Sequence, residues 1–174
     1  MHGSTLILNA FWIDNKPFPT AQSANSNLGR VFYDFYEGPA WHVGWMDLVL
    51  LKSLIKKHNV NHIILQDLGT LGAIAQVTRE VKVCVAYEHK SFIINSLSPD
   101  KDLIHCKPIY ETIEFGGWEF SDDAYTVPSR AQRYIRYLLI KTRVNYITCM
   151  NNKIKFTAHF DILGNVVFET EPNL

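Results

Sequence analysis

The 174-residue chain has no excess charge of either sign and no long hydrophobic run. Seventeen lysine and arginine residues balance seventeen aspartate and glutamate residues, so the formal net charge is zero. A neutral chain has no overall attraction for nucleic acid or for an anionic membrane. No stretch approaches the length that spans a bilayer, and the N-terminus lacks the pattern of a signal peptide. We therefore expect a cytoplasmic protein without a membrane contact.

Cysteine is scarce, and the motifs of metal and phosphate sites are absent from the sequence. Cys84, Cys106 and Cys149 are an odd number, lack the spacing of metal ligands and lie in apolar or strand-like stretches, which favours buried free thiols. The seven histidines form no HExxH motif or Cys/His cluster. No GxxxxGK[ST] run occurs either. The sequence thus predicts neither a metal site nor a phosphate-binding glycine loop.

What the chain does contain is enough apolar content, 47%, to close one core. No internal repeat or low-complexity tract interrupts it. We therefore expect a single domain over residues 1–174.

The stretch over residues 44–87 predicts the centre of the fold. Asp47 can cap a helix that ends near His58, because Leu48, Leu51 and Ile55 recur at helical spacing. Two apolar runs follow, at 63–65 and 81–87, and are typical of strands buried on both faces. Between them we expect a loop or a short helix, with tight turns at Gly69 and Gly72. This order is the core of an α/β unit.

The flanking segments predict further strands and two helices. We expect a strand over 5–13, a helix over 21–35, strands over 91–96 and 109–113 that leave the main sheet as an antiparallel excursion, and a packed loop over 115–125. The helix over 21–35 has an apolar face of Leu28, Val31, Phe32 and Phe35.

The C-terminal part predicts one clear helix followed by three strands. The helix begins at residues 127–129, and its inward stripe is Ala131, Tyr134, Ile135, Leu138 and Leu139. Strands at 146–150, 153–160 and 166–169 follow, and a turn at 163–165 makes the last two a β-hairpin. The opposite helix face is basic, and a solvated face is favoured over a phosphate contact. Its residues are Arg130, Arg133, Arg136, Lys141 and Arg143.

Five motifs in a fixed order resemble the C-terminal part of adenylosuccinate synthetase. They are PFPT at 17–20, GW-x-D-x3-L-K at 44–52, KVCVAY at 82–87, PIYET at 108–112 and VP-x2-A-x2-YI at 127–135. The resemblance runs from about residue 17 to about residue 149 and represents only the last third or so of that enzyme. It implies an α/β fold in which a sheet packs against helices, as in the C-terminal part of the synthetase, here with an added C-terminal β-hairpin.

Synthetases of this family join L-aspartate to IMP with GTP and Mg²⁺, and they begin with a glycine-rich phosphate loop that carries the catalytic base. No such loop occurs in this sequence. The resemblance therefore implies no catalytic residue and no cofactor for the chain by itself. GTP and Mg²⁺ would be needed only if the chain completes a split synthetase.

Directly before GW-x-D, the family has an arginine-rich loop that takes the substrate aspartate. Aligned without a gap, this chain has residues 36–42 there, and the resemblance implies a degenerate substrate loop. Only Gly38 matches, and Glu37 adds a negative charge where an anion should bind. Trp41 could stack on a base and His42 could supply a positive charge beside a helix N-terminus. We favour instead a packed Trp41 and a solvated His42.

The family's guanine-reading motif, Thr-Lys-Leu-Asp at the end of a strand, aligns with residues 66–69. Its carboxylate falls two positions early, so the resemblance implies a degenerate guanine-reading segment of Gln66, Asp67 and Gly69. Asp67 is either a plain loop acid, which we favour, or a base-binding group after a local shift. The family's Ser-Gly-Pro turn aligns with residues 148–152 and is absent.

The residues that match are those that shape a scaffold, and we expect them to pack in the core. They are Trp45, Leu48, Val83, Tyr87, Pro108, Tyr110, Pro128 and Tyr134.

Three hypotheses follow for the function. The favoured one is a noncatalytic module of the synthetase fold that binds a protein partner, forms a homo-oligomer or retains a purine nucleotide. The alternative is the C-terminal subunit of a split synthetase, a ligase that needs a separate phosphate-loop chain. Nucleic-acid binding through the 130–143 helix, Lys153 and Lys155 is disfavoured, because the chain is neutral and has no nucleic-acid-binding motif.

Overall fold

A computed structural model describes residues 3–14, 16, 18–23, 26–35, 42–96, 105–120, 126–150 and 153–172. The described residues form four helices interspersed among the strands, which confirms the α/β class. In chain order the elements are β1 (Ser4–Asn9), β2 (Trp12–Asp14), α1 (Asn27–Phe35), β3 (His42–Gly44), β4 (Met46–Asp47), α2 (Leu48–His58), β5 (Val60–Gln66), α3 (Leu68–Thr78), β6 (Val81–His89), β7 (Phe92–Ile94), β8 (Lys107–Glu114), α4 (Ser129–Thr142), β9 (Tyr146–Met150), β10 (Ile154–Phe160) and β11 (Val166–Pro172).

The strands form two principal sheets and one short pair. The first sheet has the order β1-β5-β9-β10-β11. In it β1, β5 and β9 run parallel, and β9, β10 and β11 are antiparallel neighbours. The second sheet has the order β4-β6-β7, with β8 also paired to β6. The pair β2-β3 belongs to neither of these sheets. The two predicted central strands lie in different sheets, β5 in the first and β6 in the second.

Helices α2 and α4 connect the two sheets. Helix α2 contacts β5 of the first sheet and β6 of the second, while α4 contacts β9 and β10 of the first and β8 of the second. The predicted inward stripe of α4 is buried along its whole length. One hydrophobic cluster includes this stripe together with Leu51, Ile63 and Val83. The core therefore lies between the sheets and around these two helices.

Three predicted elements differ in detail from the observed ones. The strand expected over 5–13 is interrupted at Ala10 and Phe11, whose fully buried side chains enter the core. The helix expected over 21–35 begins only at Asn27, because Ala21 forms an isolated bridge with Gly44 and is held in extended backbone. At its other end Phe35 is 40% exposed rather than buried.

The segment between β5 and β6 is a complete helix rather than a loop or a short helical piece. Gly69 and Gly72 lie inside α3 and do not make turns. The helix ends at Arg79, which adopts a left-handed conformation and donates its backbone N–H to the Ala75 carbonyl. Apolar residues on nearly every side of α3 obscure its periodicity, which explains why the sequence pattern did not predict it.

The predicted C-terminal hairpin is present, and the strands of the predicted excursion are antiparallel but belong to the second sheet rather than to the main one. Strands β7 and β8 each pair antiparallel with β6. Strands β10 and β11 form the hairpin, whose turn is held by the Asp161 carboxylate, which accepts from the N–H groups of Leu163 and Asn165 at 2.9 Å. Gly164, at φ 83°, supplies the left-handed turn residue. Across the described ranges, no helix combines the length and the apolar character needed to cross a membrane.

Candidate functional site

The N-terminus of α2 is built around a buried carboxylate. Asp47 has no exposed surface, and one of its oxygens accepts from the backbone N–H of Leu50 at 3.0 Å, as a helix N-cap does. Its other oxygen accepts from the Tyr87 hydroxyl. Burial raises the Asp47 pKa from 3.8 to about 6, although both hydrogen bonds oppose the rise. The helix N-terminus, where an anion could bind, is thus already occupied by the protein's own carboxyl group.

The groups around Asp47 are held in their neutral forms. Burial, followed by the nearby Asp47 charge, raises the pKa of the Cys84 thiol to about 12. Burial is also the main cause that raises the pKa values of the Tyr87 and Tyr110 hydroxyls above their ordinary value. A thiol in this state is a poor nucleophile, because the thiolate is the reactive form. The cluster is therefore a structural polar network and does not have the features of a catalytic centre.

Cys84, Cys106 and Cys149 are all buried free thiols, as predicted.

The sequence motifs that resemble the synthetase meet one another in this region. The Thr20 hydroxyl donates to the Trp45 carbonyl at 3.3 Å, and a Cβ added to Gly44 would lie 2.0 Å from the Thr20 carbonyl oxygen. Asp47 and Tyr87 join the second motif to the third. Pro108 lies opposite Tyr87 in the pairing of β8 with β6. The motifs thus specify contacts between elements that are distant in sequence.

Of the residues expected in the core, Trp45, Tyr87 and Tyr134 are buried, whereas Pro108, Tyr110 and Pro128 are only partly buried. Trp45 is 2% exposed and meets Phe32 edge-on, with the ring centroids 5.0 Å apart. Tyr134 is fully buried, and its hydroxyl donates to the Ala10 carbonyl at 2.5 Å. This hydrogen bond ties α4 to the break between β1 and β2.

Of the predicted substrate loop, only His42 is among the described residues. Glu37, Gly38 and Trp41 lie outside them. His42 begins β3, lies opposite Asp14 of β2 and is partly buried. Its ring meets Phe18 edge-on at 6.5 Å between centroids. His42 therefore packs against an aromatic ring rather than projecting fully into solvent.

The predicted guanine-reading segment lies at the carboxyl end of β5. Gln66 is exposed and ends the strand, and its carbonyl accepts from the Ala10 N–H at 2.8 Å. Asp67 occupies the N-cap of α3 in a left-handed conformation, φ 58°, and its side chain makes no capping hydrogen bond. Partial burial of the carboxyl raises the Asp67 pKa. Gly69 lies in the first turn of α3, where a Cβ would make only an ordinary 3.7 Å contact with Phe120.

The two predicted segments are linked through β1 and β2. Asn9, the last residue of β1, lies opposite Gln66, and the chain then continues into β2, which pairs with the strand that begins at His42. The segment that begins with Gln66 and the segment that ends with His42 are therefore connected through strands β1, β2 and β3.

The sequence interpretation missed the packing of α3 on the segment after β8. A Cβ on Gly72 would lie 2.4 Å from Trp118 Cδ1, and one on Gly117 would lie 2.2 Å from the Gly72 carbonyl oxygen. Trp118 is buried and donates its indole N–H to the Leu68 carbonyl at 2.9 Å. The available signal was a glycine within an otherwise apolar run, which often marks a close approach of two backbones.

The basic face of α4 is engaged by the chain itself. Arg133 binds both Glu114 carboxylate oxygens at 2.8 Å, and Arg130 approaches the same carboxylate at 3.5 Å. The hydrogen bond from Arg133 lowers the Glu114 pKa. The other three basic residues each lie over an aromatic ring, namely Arg136 over Phe168, Lys141 over Tyr137 and Arg143 over Phe160. These contacts account for the basic face without an anionic ligand.

No group of three or more His, Cys, Asp or Glu side chains in the described part of the chain is arranged to hold a metal ion.

The architecture matches a solved synthetase. The structure of fully ligated adenylosuccinate synthetase from Plasmodium falciparum superposes with a TM-score of 0.66 over 93% of this chain and 38% of that chain, at 17% sequence identity. The fold is therefore that of part of an adenylosuccinate synthetase.

Sequence comparison shows the family directly. The family model for adenylosuccinate synthetase matches residues 14–154. The adenylosuccinate synthetase of Thermoanaerobacter pseudethanolicus is 34% identical over 113 residues, which cover 60% of this chain and 24% of that protein. That of Hydrogenobaculum sp. is 31% identical over 144 residues, which cover 76% and 32%. The chain belongs to the adenylosuccinate synthetase family, and it spans about a third or less of the length of these relatives.

Proposed function

We propose that the chain is a noncatalytic domain of the synthetase fold that acts in the cytoplasm as a protein-interaction or purine-binding module. The observation that carries this proposal is the placement of the matching side chains. Trp45, Tyr87 and Tyr134 lie in the core. The Asp47 carboxyl caps helix α2 and accepts a buried hydrogen bond from Tyr87. The resemblance to the enzyme is thus a resemblance of scaffold.

The ligand segments support the same proposal. A carboxylate substrate would meet Glu37 where the family uses arginines, and the acid of the guanine-reading segment is displaced to Asp67. Positioning and charge stabilisation supply most of the rate in phosphoryl transfer, and the sequence contains no glycine-rich phosphate loop for that task.

An activity assay tests the noncatalytic role. The purified chain, incubated with IMP, GTP, Mg²⁺ and L-aspartate, should form adenylosuccinate only at the background rate. The synthetase of Hydrogenobaculum sp. under the same conditions is the positive control. Turnover by the isolated chain, free of host enzyme, would overturn the proposal.

The same assay distinguishes the split-enzyme alternative. A fragment of the Hydrogenobaculum synthetase that lacks the region matched by this chain should remain inactive when the chain is added. Activity that depends on both polypeptides would replace the interaction module with a synthetase subunit.

A further inference from the structure

A groove of about 380 Å³ lies between helices α2 and α4, beside strands β6 and β8. Its size is within the range of small-molecule sites, about 300–1,000 Å³. Helix α2 contributes Leu48 and Lys52 to its lining, and α4 contributes Tyr137 and Lys141. Residues four positions apart lie on one side of a helix, so each helix presents a lysine and a less polar side chain to the groove.

The floor of the groove contains an irregularity of the second sheet. Cys84 and Ala86 of β6 lie opposite consecutive residues of β8, so Val85 between them is an extra residue without a counterpart. Such a β-bulge redirects its side chain, and bulges are over-represented next to active sites. Val85 lines the groove together with Leu48, which is 3% exposed. The floor is therefore apolar, and the bulge contributes part of it.

The groove carries charges of both signs that do not pair with each other. Among the described residues, Lys52 and Lys141 make no ion pair, and neither does Glu111, which β8 contributes to the groove. The Lys141 ammonium group lies over the Tyr137 ring, 5.7 Å from its centroid. The Tyr137 hydroxyl donates to the Glu111 carboxylate over a long 3.5 Å. Two cations on the helices and one anion on the sheet therefore remain available to a ligand.

We propose that this groove binds the zwitterion of an apolar α-amino acid. Lys52 and Lys141 bind the carboxylate of the ligand, because a lysine ammonium group donates charge-assisted hydrogen bonds to a carboxylate. Glu111 accepts hydrogen bonds from the ammonium group of the ligand in the same way. The side chain of the ligand covers Leu48 and Val85, so that the apolar floor is removed from water.

The charges of the groove favour a zwitterion over a ligand of one sign. A phosphate or a dicarboxylate would be attracted by the two lysines but repelled by Glu111, and an amine would be repelled by both lysines. A zwitterion satisfies both signs at once. Of the described residues, none in the segments over 36–42 and 66–69 lines the groove. The proposal therefore goes beyond the proposed function and does not depend on it.

Titrations of the purified chain with L-leucine and three analogues test the class of ligand. L-Leucine should shift the amide NMR signals of α2 and α4 with a dissociation constant of about 1 mM, as the limited binding energy of so small a ligand allows. N-Acetyl-leucine lacks the ammonium group and leucinamide lacks the carboxylate. Each of them should bind about fivefold to tenfold more weakly. Glycine, which lacks the apolar side chain, should also bind more weakly.

Substitutions at the charged positions test the location of the ligand. Lys52→Met should weaken the binding of L-leucine about fivefold to tenfold but should not weaken that of leucinamide. Glu111→Gln should weaken the binding of L-leucine by a similar factor but not that of N-acetyl-leucine. Lys56→Met on α2 and Glu88→Gln on β6 are the matched controls outside the groove and should bind L-leucine like wild type. All four positions are exposed, so the melting temperature should change little.

Three results would overturn the proposal. They are a wild-type chain whose NMR signals do not shift with L-leucine, equal affinities for L-leucine and leucinamide, and an unchanged affinity for L-leucine in both Lys52→Met and Glu111→Gln. None of these results would affect the proposed noncatalytic role, which the synthetase assay tests separately.

Discussion

At the residue scale, Asp47 experiences two opposing electrostatic effects. The start of a helix favours a negative charge, whereas complete burial disfavours it. Burial dominates, because the pKa is raised to about 6 despite the hydrogen bonds from Tyr87 and Leu50. The folded chain therefore keeps the Asp47 proton up to a higher pH than the unfolded chain does.

This difference predicts a pH dependence of the free energy of unfolding. A carboxyl whose pKa is higher in the folded than in the unfolded chain contributes its full stability below pH 4 and loses it as the pH rises through about 6. A shift from 3.8 to about 6 corresponds to a loss of about 3 kcal/mol. Asp47→Asn keeps the cap and the Tyr87 contact without the charge, so its loss of stability between pH 4 and pH 7 should be smaller by about that amount.

Urea unfolding at the two pH values measures this difference. Asp34→Asn, on an exposed site of α1, is the control and should retain the wild-type pH dependence. Equal losses of stability in wild type and Asp47→Asn would show that Asp47 does not titrate in this range.

Trp45 gives the second prediction at this scale. Its side chain is 2% exposed and packs against Phe32. Removing a buried aromatic side chain typically costs about 3–5 kcal/mol, so Trp45→Ala should unfold or strongly destabilise the chain. Phe92→Ala removes a ring that is 74% exposed and should leave the melting temperature nearly unchanged. If the two variants melt alike, α2 has been placed wrongly against the sheets.

At the scale of elements, the sequence predicted which sides of a helix or strand are buried better than it predicted which strands pair with each other. The stripe of α4 was predicted from helical periodicity and the buried strands β5 and β6 from their continuous apolar runs, because the distribution of apolar residues reports which sides of an element are buried. It does not report which sheet a strand joins. Assignment of β5 and β6 to different sheets depends on pairings with β1, β9, β4 and β8, which no local pattern contains.

Helix α3 gives a prediction with an internal control, since it contains two glycines in different surroundings. A Cβ at Gly72 would meet the Trp118 ring and carbonyl at 2.4–2.5 Å, whereas one at Gly69 has ordinary space. Overpacking typically costs about 1–3 kcal/mol. Gly72→Ala should therefore lower the free energy of unfolding by about 1–3 kcal/mol or more. Gly69→Ala should raise it by about 0.5–1 kcal/mol, because alanine is the better helix residue.

Chemical denaturation of the two variants beside wild type would measure this contrast. Quenching of tryptophan fluorescence by acrylamide would report whether Trp118 becomes exposed in Gly72→Ala. A Gly72→Ala variant as stable as Gly69→Ala would contradict the observed contact between α3 and the segment after β8.

At the scale of the whole molecule, the sequence motifs predicted which residues belong to the scaffold but not which of them contact one another. The sequence placed Asp47 at a helix start, and only the fold showed that Tyr87, forty positions later, donates to it. The candidate ligand positions were read from alignment with the family. Their surroundings depend on the strands that separate His42 from Asp67, so a ligand-binding role could not be derived from residue types alone.

The last prediction concerns whether the proposed module binds purines or proteins. An anion at the start of α2 would have to displace the buried Asp47 carboxyl, and the ring of His42 packs against Phe18. We therefore expect no heat and no thermal shift when IMP, GMP, GTP or adenylosuccinate is titrated into the chain at neutral pH, which would favour a protein partner. Heat that increases on mild acidification, and that is weakened in both His42→Ala and Trp41→Ala, would contradict this expectation. It would place a purine beside Trp41 and His42, because an indole ring can stack on a base and a protonated imidazole attracts a phosphate.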